Sequence, residues 1–156
     1  MGAAYFYHLT EAPLEATLPT LLTKARAAGW RIMVRGTDPG RLGWLDEKLW
    51  LQSDESFLPH GIAGGEFDAD QPILLTLGAE RPNAAACIMV IDGAEVSPEE
   101  VQEMERVCVL FDGNDVQALE RARQQWKTLT GSGCSAQYWS QSGGGWSKKA
   151  ESGSGS

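Results

Sequence analysis

Two basic side chains and an indole in the last predicted helix form a candidate binding site. Arg123 and Lys127 lie four residues apart, so on a helix they stand one turn above each other, with Trp126 beside both. Guanidinium and ammonium groups bind carboxylates, and an aromatic wall accepts an apolar end residue. One interpretation of this spacing is therefore a pocket for a short acidic peptide.

The same three residues also have a purely structural interpretation. Arg123 and Lys127 can be solvated charges with Trp126 in the core, and the preceding Glu120 can pair with Arg123. The pattern alone leaves both interpretations open.

Catalytic and metal chemistry have less support. His60 has Asp54 and Glu55 near it in the chain, but a base needs a reacting group at hydrogen-bond distance, and neither His60 nor His8 can be given one from sequence. A histidine that follows a proline in a turn more often contacts backbone carbonyls, so we assign His60 a structural role. With no HExxH, GxSxG or cluster of metal ligands, we expect no catalytic residue, no cofactor and no metal.

A nucleotide site is the main alternative to a peptide site. The segment Gly36–Gly40 fits neither GxGxxG nor GxxxxGK[ST], and Asp38 would repel a phosphate there. The segment Gly61–Gly65 lacks a following lysine and a preceding strand. A small nucleotide-binding enzyme on a Rossmann-like fold therefore stays as the second hypothesis, which predicts a ligand-sized cleft at the carboxyl ends of the strands.

Length and composition indicate one globular domain. The chain has 156 residues, of which 42% are hydrophobic, and no segment approaches the run of about 18 apolar residues that a membrane span needs. The start of the chain lacks the basic and apolar regions of a signal peptide. Three cysteines, Cys87, Cys108 and Cys134, are widely spaced and are predicted to be reduced. We expect a monomeric, cytoplasmic protein without a membrane partner.

The formal charge of −8 opposes the phosphate attraction that dominates non-specific nucleic-acid binding. We therefore expect contact with DNA to be only indirect. A local basic patch can still recruit an acidic peptide, because salt screens charges beyond about 8–10 Å.

Strand and helix patterns alternate along the chain. Strands are predicted at Ala3–Leu9, Trp30–Arg35, Ile73–Leu77, Ala86–Ile91, Val107–Phe111 and Ser135–Ser140, and helices at Leu14–Ala28, Pro39–Trp50, Pro98–Arg106 and Val116–Thr130. This alternation predicts an α/β fold, a single three-layer Rossmann-like domain with a mostly parallel central sheet and helices on both faces. Residues 1–149 would form the domain, and residues 150–156, AESGSGS, a flexible tail.

Several side chains can be assigned to faces of these elements. Tyr5 and Tyr7 should lie on one face of the first strand, with Phe6 and His8 on the other. Asp38 should cap the second helix, and Ser97 with Glu100 forms a capping box for the third. In the last helix, four apolar residues can face the sheet: Val116, Leu119, Ala122 and Leu129.

The stretch Leu45–Gly65 combines a helix with a loop that holds large apolar side chains. Leu42, Leu45 and Leu49 form a helical stripe with Trp50 at its edge, and after Ser53 the periodicity stops. A solvated loop normally avoids residues such as Phe57, because each one left in water forgoes roughly 1.5–3 kcal/mol of burial. Phe57 therefore either plugs the edge of the core or meets a partner.

These residues carry a family resemblance. The segments Leu45–Trp50 (LDEKLW) and Glu55–Gly64 (ESFLPHGIAG), together with Ala122–Lys127 (ARQQWK), resemble the chi subunit of bacterial DNA polymerase III, an accessory protein of the clamp loader. The resemblance extends from the first strand to about Lys149.

The resemblance implies a non-catalytic adaptor with two binding surfaces. Arg123, Trp126 and Lys127, with Asp112 nearby, would bind the acidic, phenylalanine-ended tail of single-stranded DNA-binding protein. Some family members carry a lysine where this chain has Leu119, so one cationic contact is missing unless Lys148 and Lys149 replace it. The other surface, Trp50 and Phe57, would hold the psi subunit or another clamp-loader or repair partner.

Overall fold

The structure is a computed structural model that describes residues 3–10, 13–51, 60–64, 68–78, 83–142 and 145–152. Within these residues the chain forms eight strands, four α-helices and one short 3-10 helix, Asp68–Asp70. The strands are β1 (Ala3–Leu9), β2 (Ile32–Arg35), β3 (His60–Ile62), β4 (Ile73–Thr76), β5 (Cys87–Val90), β6 (Arg106–Asp112), β7 (Ser135–Ser142) and β8 (Gly145–Ser152). The α-helices are α1 (Leu14–Ala27), α2 (Pro39–Leu51), α3 (Pro98–Glu103) and α4 (Val116–Gly131).

All eight strands belong to one sheet, in the order β3-β4-β2-β5-β6-β1-β7-β8. Neighbouring strands are parallel except for β7 and β8, which are antiparallel. Every residue of β2, β4 and β5 is buried, as expected for parallel strands with helices over both faces. The predicted α/β fold with a mostly parallel sheet is confirmed.

Two apolar clusters lie on opposite faces of this sheet. One contains leucines of α1 and α2, including Leu22, Leu45 and Leu49, and the other contains Val101 of α3 with Ala122 and Leu129 of α4. β1 contributes to both, since Phe6 lies in the second cluster whereas its neighbour Tyr7 packs against the first. The three-layer arrangement is therefore also confirmed.

The predicted starts of three helices are confirmed. Asp38 Oδ2 accepts a hydrogen bond from the backbone N–H of Arg41 at 3.0 Å, and Asp115 Oδ1 accepts one from Gln117 at 2.9 Å. Ser97 and Glu100 form the complete capping box before α3. The three cysteines are free and buried.

The structure corrects several boundaries. α3 ends at Glu103, three residues earlier than predicted, because β6 begins at Arg106. Val116 does not face the sheet: it is 75% exposed, since it is the first helical residue and α4 meets the core further along.

β3 and β8 are missing from the prediction. β3 has three residues, too few for a periodic pattern, and β8 (GWSKKAES) has no alternation of apolar and polar residues. Pairing with β4 and β7 defines them instead. β8 continues to Ser152, past the boundary at Lys149 that the sequence predicts, and residues 153–156 lie outside the described residues.

Candidate functional site

The outer face of α4 presents the predicted cationic residues to solvent. Arg123 and Lys127 are exposed, and Trp126 between them is half-buried. The Trp126 ring packs edge-on against Phe6 at 5.3 Å and Tyr138 at 6.0 Å between ring centroids. One part of the Trp126 ring thus packs in the core, and the other part is accessible to solvent beside two cations. Each interpretation of the sequence pattern therefore describes one part of this side chain.

The cations on this face are weakly held. Arg123 Nη1 lies 3.3 Å from Glu120 Oε1, and the two side chains are 59% and 60% exposed. An exposed pair of this kind contributes roughly 0–1 kcal/mol to stability. Lys127 pairs with no carboxylate among the described residues. Both cations can therefore turn to a carboxylate brought by a ligand.

The sequence reasoning missed Tyr138, which supports the indole from below. Its hydroxyl lies 2.8 Å from Nδ1 of His8, and its ring contacts both Trp126 and Phe111. Burial raises the pKa of Tyr138, while nearby Arg123 acts in the opposite direction. Side chains alternate between the two faces of a strand, so Tyr138 lies on the same face of the predicted last strand as Ala136. This alternation was the sequence signal that could have identified Tyr138 as a residue facing α4.

His8 is held close to the turn before α4. A Cβ at Gly113 would overlap the His8 ring, so position 113 needs glycine in this arrangement. The backbone N–H of Gly113 also donates to the carbonyl of Leu9 at 2.7 Å. Gly113 contacts His8, and His8 contacts Tyr138. These contacts position the Tyr138 ring against which Trp126 packs.

Asp112 and Leu119 take different positions from the three α4 residues. Asp112 is the exposed last residue of β6, and its Oδ1 accepts a hydrogen bond from Asn114 at 2.9 Å. It lines a crevice together with Arg121 and Gln125, whereas Arg123, Trp126 and Lys127 do not line that crevice. Leu119 is half-buried against the apolar cluster.

This crevice lies at the carboxyl ends of β1, β5 and β6 and has a volume of about 740 Å³. Arg41 bonds both carboxylate oxygens of Asp92, at 3.1 and 3.2 Å, and its guanidinium lies 4.5 Å from the Trp44 ring centroid. The bond to Asp92 raises the pKa of Arg41. A Cβ at Gly93 would lie 3.1 Å from Arg121, so this side chain lies across the Gly93 backbone.

The charges of the crevice differ from those of the outer face. Its two guanidinium groups are accompanied by four carboxylates, those of Glu15, Asp92, Asp112 and Asp115. These carboxylates repel the phosphates of a nucleotide. Phosphate binding needs helix N-termini or cations that are not already paired with carboxylates. The crevice has the size of a ligand site but not the charge of a phosphate site.

The second predicted surface lies largely beyond what the structure describes. Trp50 is part of α2, but its side chain is outside the described residues, and so is Phe57. The leucine stripe below Trp50 is buried as predicted, with Leu42, Leu45 and Leu49 at 1–2% exposure.

His60 contacts a backbone carbonyl, as the sequence predicts. It is buried, and its Nε2 lies 3.1 Å from the backbone carbonyl of Asp46 and 3.2 Å from the Asp46 carboxylate. These contacts join β3 to α2.

No helix in the described ranges is long and apolar enough to span a membrane, and no group of three or more histidine, cysteine, aspartate or glutamate side chains there is arranged to hold a metal ion.

Comparison with known proteins identifies polymerase subunits as relatives. The model of the family described as "DNA polymerase III chi subunit, HolC" matches residues 1–137. The "Probable DNA polymerase III subunit chi" of Rickettsia prowazekii is 23% identical over 111 residues, which cover 68% of this chain and 67% of that protein. The "DNA polymerase III subunit chi" of Pseudomonas aeruginosa is 33% identical over 81 residues, covering 50% and 56%.

Proposed function

Because this chain belongs to the DNA polymerase III chi subunit family, we propose that it is a non-catalytic adaptor in the bacterial replicative polymerase. One surface binds the acidic C-terminal tail of single-stranded DNA-binding protein. The other links the chain to the clamp-loader assembly. The adaptor needs no cofactor.

The outer face of α4 is the observation that carries this proposal. Arg123 and Lys127 stand exposed beside Trp126, and the only described ion pair among them is the weak one to Glu120. A tail carboxylate can replace Glu120 at Arg123 and form a charge-assisted hydrogen bond, which is about twice as strong as a neutral one. Lys127 then offers a second cation one turn further along.

Trp126 supplies the apolar part of the same surface. Its ring is held by Phe6 and Tyr138, so little side-chain freedom remains to be lost when a ligand packs against it. A terminal aromatic side chain of the tail can pack on the exposed part of the indole, while the chain-end carboxylate meets the cations. The surface therefore suits a peptide that ends in an apolar residue.

The link to the clamp loader is assigned to Trp50 and Phe57. Trp50 lies near the end of α2, directly after the buried Leu49. Aromatic residues of this kind carry much of the energy of many interfaces. A Trp50→Ala variant should lose this partner in a pull-down while keeping the tail of single-stranded DNA-binding protein.

Titration calorimetry with a synthetic tail peptide tests the first surface. Arg123→Ala should weaken binding by at least about tenfold, because a hydrogen bond to a charged group is worth about 1.5–3 kcal/mol. Arg121→Ala is the matched control: it removes the same charge from the same helix, but from the side that lines the crevice. Its affinity for the peptide should stay close to that of the wild type.

Two results would contradict this assignment. Equal losses for Arg123→Ala and Arg121→Ala would show general charge attraction rather than a site. If a peptide that lacks its terminal phenylalanine bound as tightly as the complete tail peptide, Trp126 would not be the contact for that phenylalanine.

The crevice of about 740 Å³ favours a second candidate, a small nucleotide-binding enzyme, because it lies where open α/β sheets bind ligands. The four carboxylates that line the crevice disfavour binding of nucleotide phosphates. We expect ATP and NAD to leave the melting temperature unchanged, and a clear rise with either nucleotide would favour this candidate over the adaptor.

A further inference from the structure

β8 is the outermost strand of the sheet, and one of its edges is open. The strand order ends with β8, whose strand partner in the described part of the chain is β7. The strand, Gly145–Ser152, contains no proline, so each residue has a backbone N–H and a backbone carbonyl. The groups that point away from β7 have no described strand beside them and can pair with an additional extended chain.

Two lysines stand on this strand, in a chain whose formal charge is −8. Lys148 and Lys149 are both exposed. Lys148 Nζ lies 3.5 Å from Glu151 Oε1, in a pair whose side chains are 42% and 50% exposed. Lys149 forms no ion pair with another described residue. Because an exposed ion pair contributes little stability, both ammonium groups are available to carboxylates of a ligand.

The lysines also decide what kind of chain fits this edge. Two copies of β8 that paired with each other would bring their lysines together, and like charges on neighbouring strands are destabilising. The register of the β7–β8 pairing shifts at Lys149, and such a bulge likewise opposes regular pairing of two copies. An acidic peptide is attracted by both lysines, and a flexible chain can follow the bent edge. The open edge of β8 therefore suits an extended acidic peptide better than a second copy.

A short route connects this edge with the outer face of α4. Trp126 packs against Tyr138 of β7, with 6.0 Å between the ring centroids, and Tyr138 lies opposite Ala150 of β8. The next cross-strand pair on the same face is Ser140 with Ser147. These small side chains leave room for a chain that passes from Trp126 over β7 and β8.

The length of this route suits a peptide tail. Neighbouring strands lie about 4.8 Å apart, so a strand added beside β8 would lie roughly 10 Å from β7. The Trp126 ring lies against Tyr138 on the α4 side of β7. An extended chain advances about 3.3 Å per residue, so about four or five residues connect the indole with the open edge.

We propose that the acidic tail whose end binds at Trp126 continues over β7 and pairs with the open edge of β8, where its carboxylates meet Lys148 and Lys149. This inference rests on the proposed function, because it takes the outer face of α4 as the anchor for the end of the tail. Backbone pairing supplies affinity, and the lysines supply the preference for acidic residues. β8 begins after residue 137, where the family match ends, so the matched region alone does not provide this contact.

Titration calorimetry with two synthetic tail peptides tests the proposal on the whole protein. The short peptide contains about the last four residues of the tail and reaches only α4, whereas the long peptide contains about the last ten and reaches β8. The long peptide should bind at least about tenfold more tightly, because it adds backbone pairing and opposite charges across the strand pair.

Charge reversals show whether this gain comes from β8. Lys148→Glu and Lys149→Glu, made together, should remove most of the gain of the long peptide and leave the affinity of the short peptide within about twofold at physiological salt, where charges are screened beyond about 8 Å. The matched control is Lys24→Glu with Lys48→Glu, which reverses the same number of charges on α1 and α2, on the other face of the sheet. The control variant should keep the difference between the two peptides.

Hydrogen exchange locates the contact on the strand. Backbone amides that point away from β7 exchange with solvent until another strand pairs with them. The long peptide should therefore slow exchange within β8, and the short peptide should leave it as in the free protein.

Three results would overturn the proposal. Equal affinities of the two peptides would show that nothing beyond α4 is bound. Equal losses in the β8 variant and the control variant would indicate attraction to total charge. A dimer of the peptide-free protein with protected β8 amides, detected by ultracentrifugation, would show that a second copy occupies the edge.

Arg123→Ala separates a failure of this inference from a failure of the proposed function. It should weaken the binding of both peptides, since both end at α4. If the short peptide binds through Arg123 and the long peptide gains nothing, only the β8 contact is wrong. If neither peptide depends on Arg123, the anchor on α4 is wrong as well.

Discussion

Two arginine–glutamate pairs of this molecule differ in almost every respect except their chemistry. Arg35 and Glu100 approach to 2.6 Å with side chains 7% and 20% exposed, whereas Arg123 and Glu120 are 3.3 Å apart and 59% and 60% exposed. Both guanidinium groups carry the same charge. Their surroundings decide what that charge can do.

The buried pair is held mainly by partners within the chain. Arg35 also donates to the carbonyls of Gly78 at 3.0 Å and Glu95 at 2.9 Å, and Glu100 is part of the capping box with Ser97. The pair thus joins the end of β2 to the start of α3. Arg123 has a single described acceptor, which is on its own helix, so it can exchange that acceptor for a carboxylate of a partner.

Removing the buried guanidinium should have the largest effect. Arg35→Met leaves two carbonyls without the Arg35 donor and the carboxylate of Glu100 with only its capping-box bonds to Ser97, and breaking a buried pair in this way costs about 3–5 kcal/mol. The matched variant Arg123→Met should change the free energy of unfolding by less than about 0.5 kcal/mol, because exposed pairs contribute little. Urea unfolding of both variants measures this. Similar losses in the two variants would refute the distinction between a structural and an available arginine.

Acid should remove the stabilisation that the buried pair provides. Arg35 bonds the carboxylate of Glu100 and holds its pKa below the usual value, mainly through this hydrogen bond. A lowered folded-state pKa means that the unfolded state binds more protons, so the stabilisation is present above the unfolded pKa of about 4.3 and is lost as the pH falls through the folded pKa.

Comparison of Glu100→Gln with the wild type at a series of pH values tests this prediction. The variant should be less stable at pH 7, and the difference in unfolding free energy should shrink as the pH falls below about 4.3. A constant difference between the wild type and Glu100→Gln at every pH would show that the carboxylate charge is not what stabilises this region.

Tyr138, which packs against the Trp126 ring, gives a prediction whose expected effect is of intermediate size. Tyr138→Phe removes the hydroxyl that lies 2.8 Å from His8 Nδ1 and keeps the ring that contacts Trp126. The free energy of unfolding should fall by about 1 kcal/mol, the usual value of one hydrogen bond. Binding of the tail peptide should weaken only a few-fold, because the ring stays in place. Loss of binding as large as that of Arg123→Ala would make Tyr138 a direct contact instead of a support.

Most of the fold was predictable because it follows from local patterns. The buried runs of β2, β4 and β5, the leucine stripe of α2 and the caps at Asp38 and Ser97 each have a signal within a few residues. β8 had no such signal, because a polar strand at the edge of the sheet is defined by the neighbour it pairs with. Long-range pairing does not appear in the periodicity of a single segment.

The candidate site was predictable only in part, for a related reason. The spacing of Arg123 and Lys127 places two cations on one helix face, and that spacing is local. The roles of Arg35 and Tyr138 depend on partners 65 and 130 residues away, Glu100 and His8. A charge or a ring in the sequence does not reveal whether its partner is in the same protein or in another.

Removing Glu120, which competes with a ligand carboxylate for Arg123, should have the smallest effect. It also tests most directly whether the exposed pair is available to a ligand. Glu120→Gln frees the guanidinium from an exposed i,i+3 pair, which is worth about 0.2–0.5 kcal/mol, so affinity for the tail peptide should rise about twofold while stability changes by a few tenths of a kcal/mol.

The control for this variant must separate local release from total charge. Glu105→Gln removes the same charge from an exposed position between α3 and β6, outside α4. If only Glu120→Gln raises the affinity, measured by calorimetry at two salt concentrations, then Glu120 and the ligand compete for one guanidinium. Equal gains from both variants, reduced by salt, would mean that the acidic protein simply repels an acidic tail less, and the exposed pair would then have no part in binding.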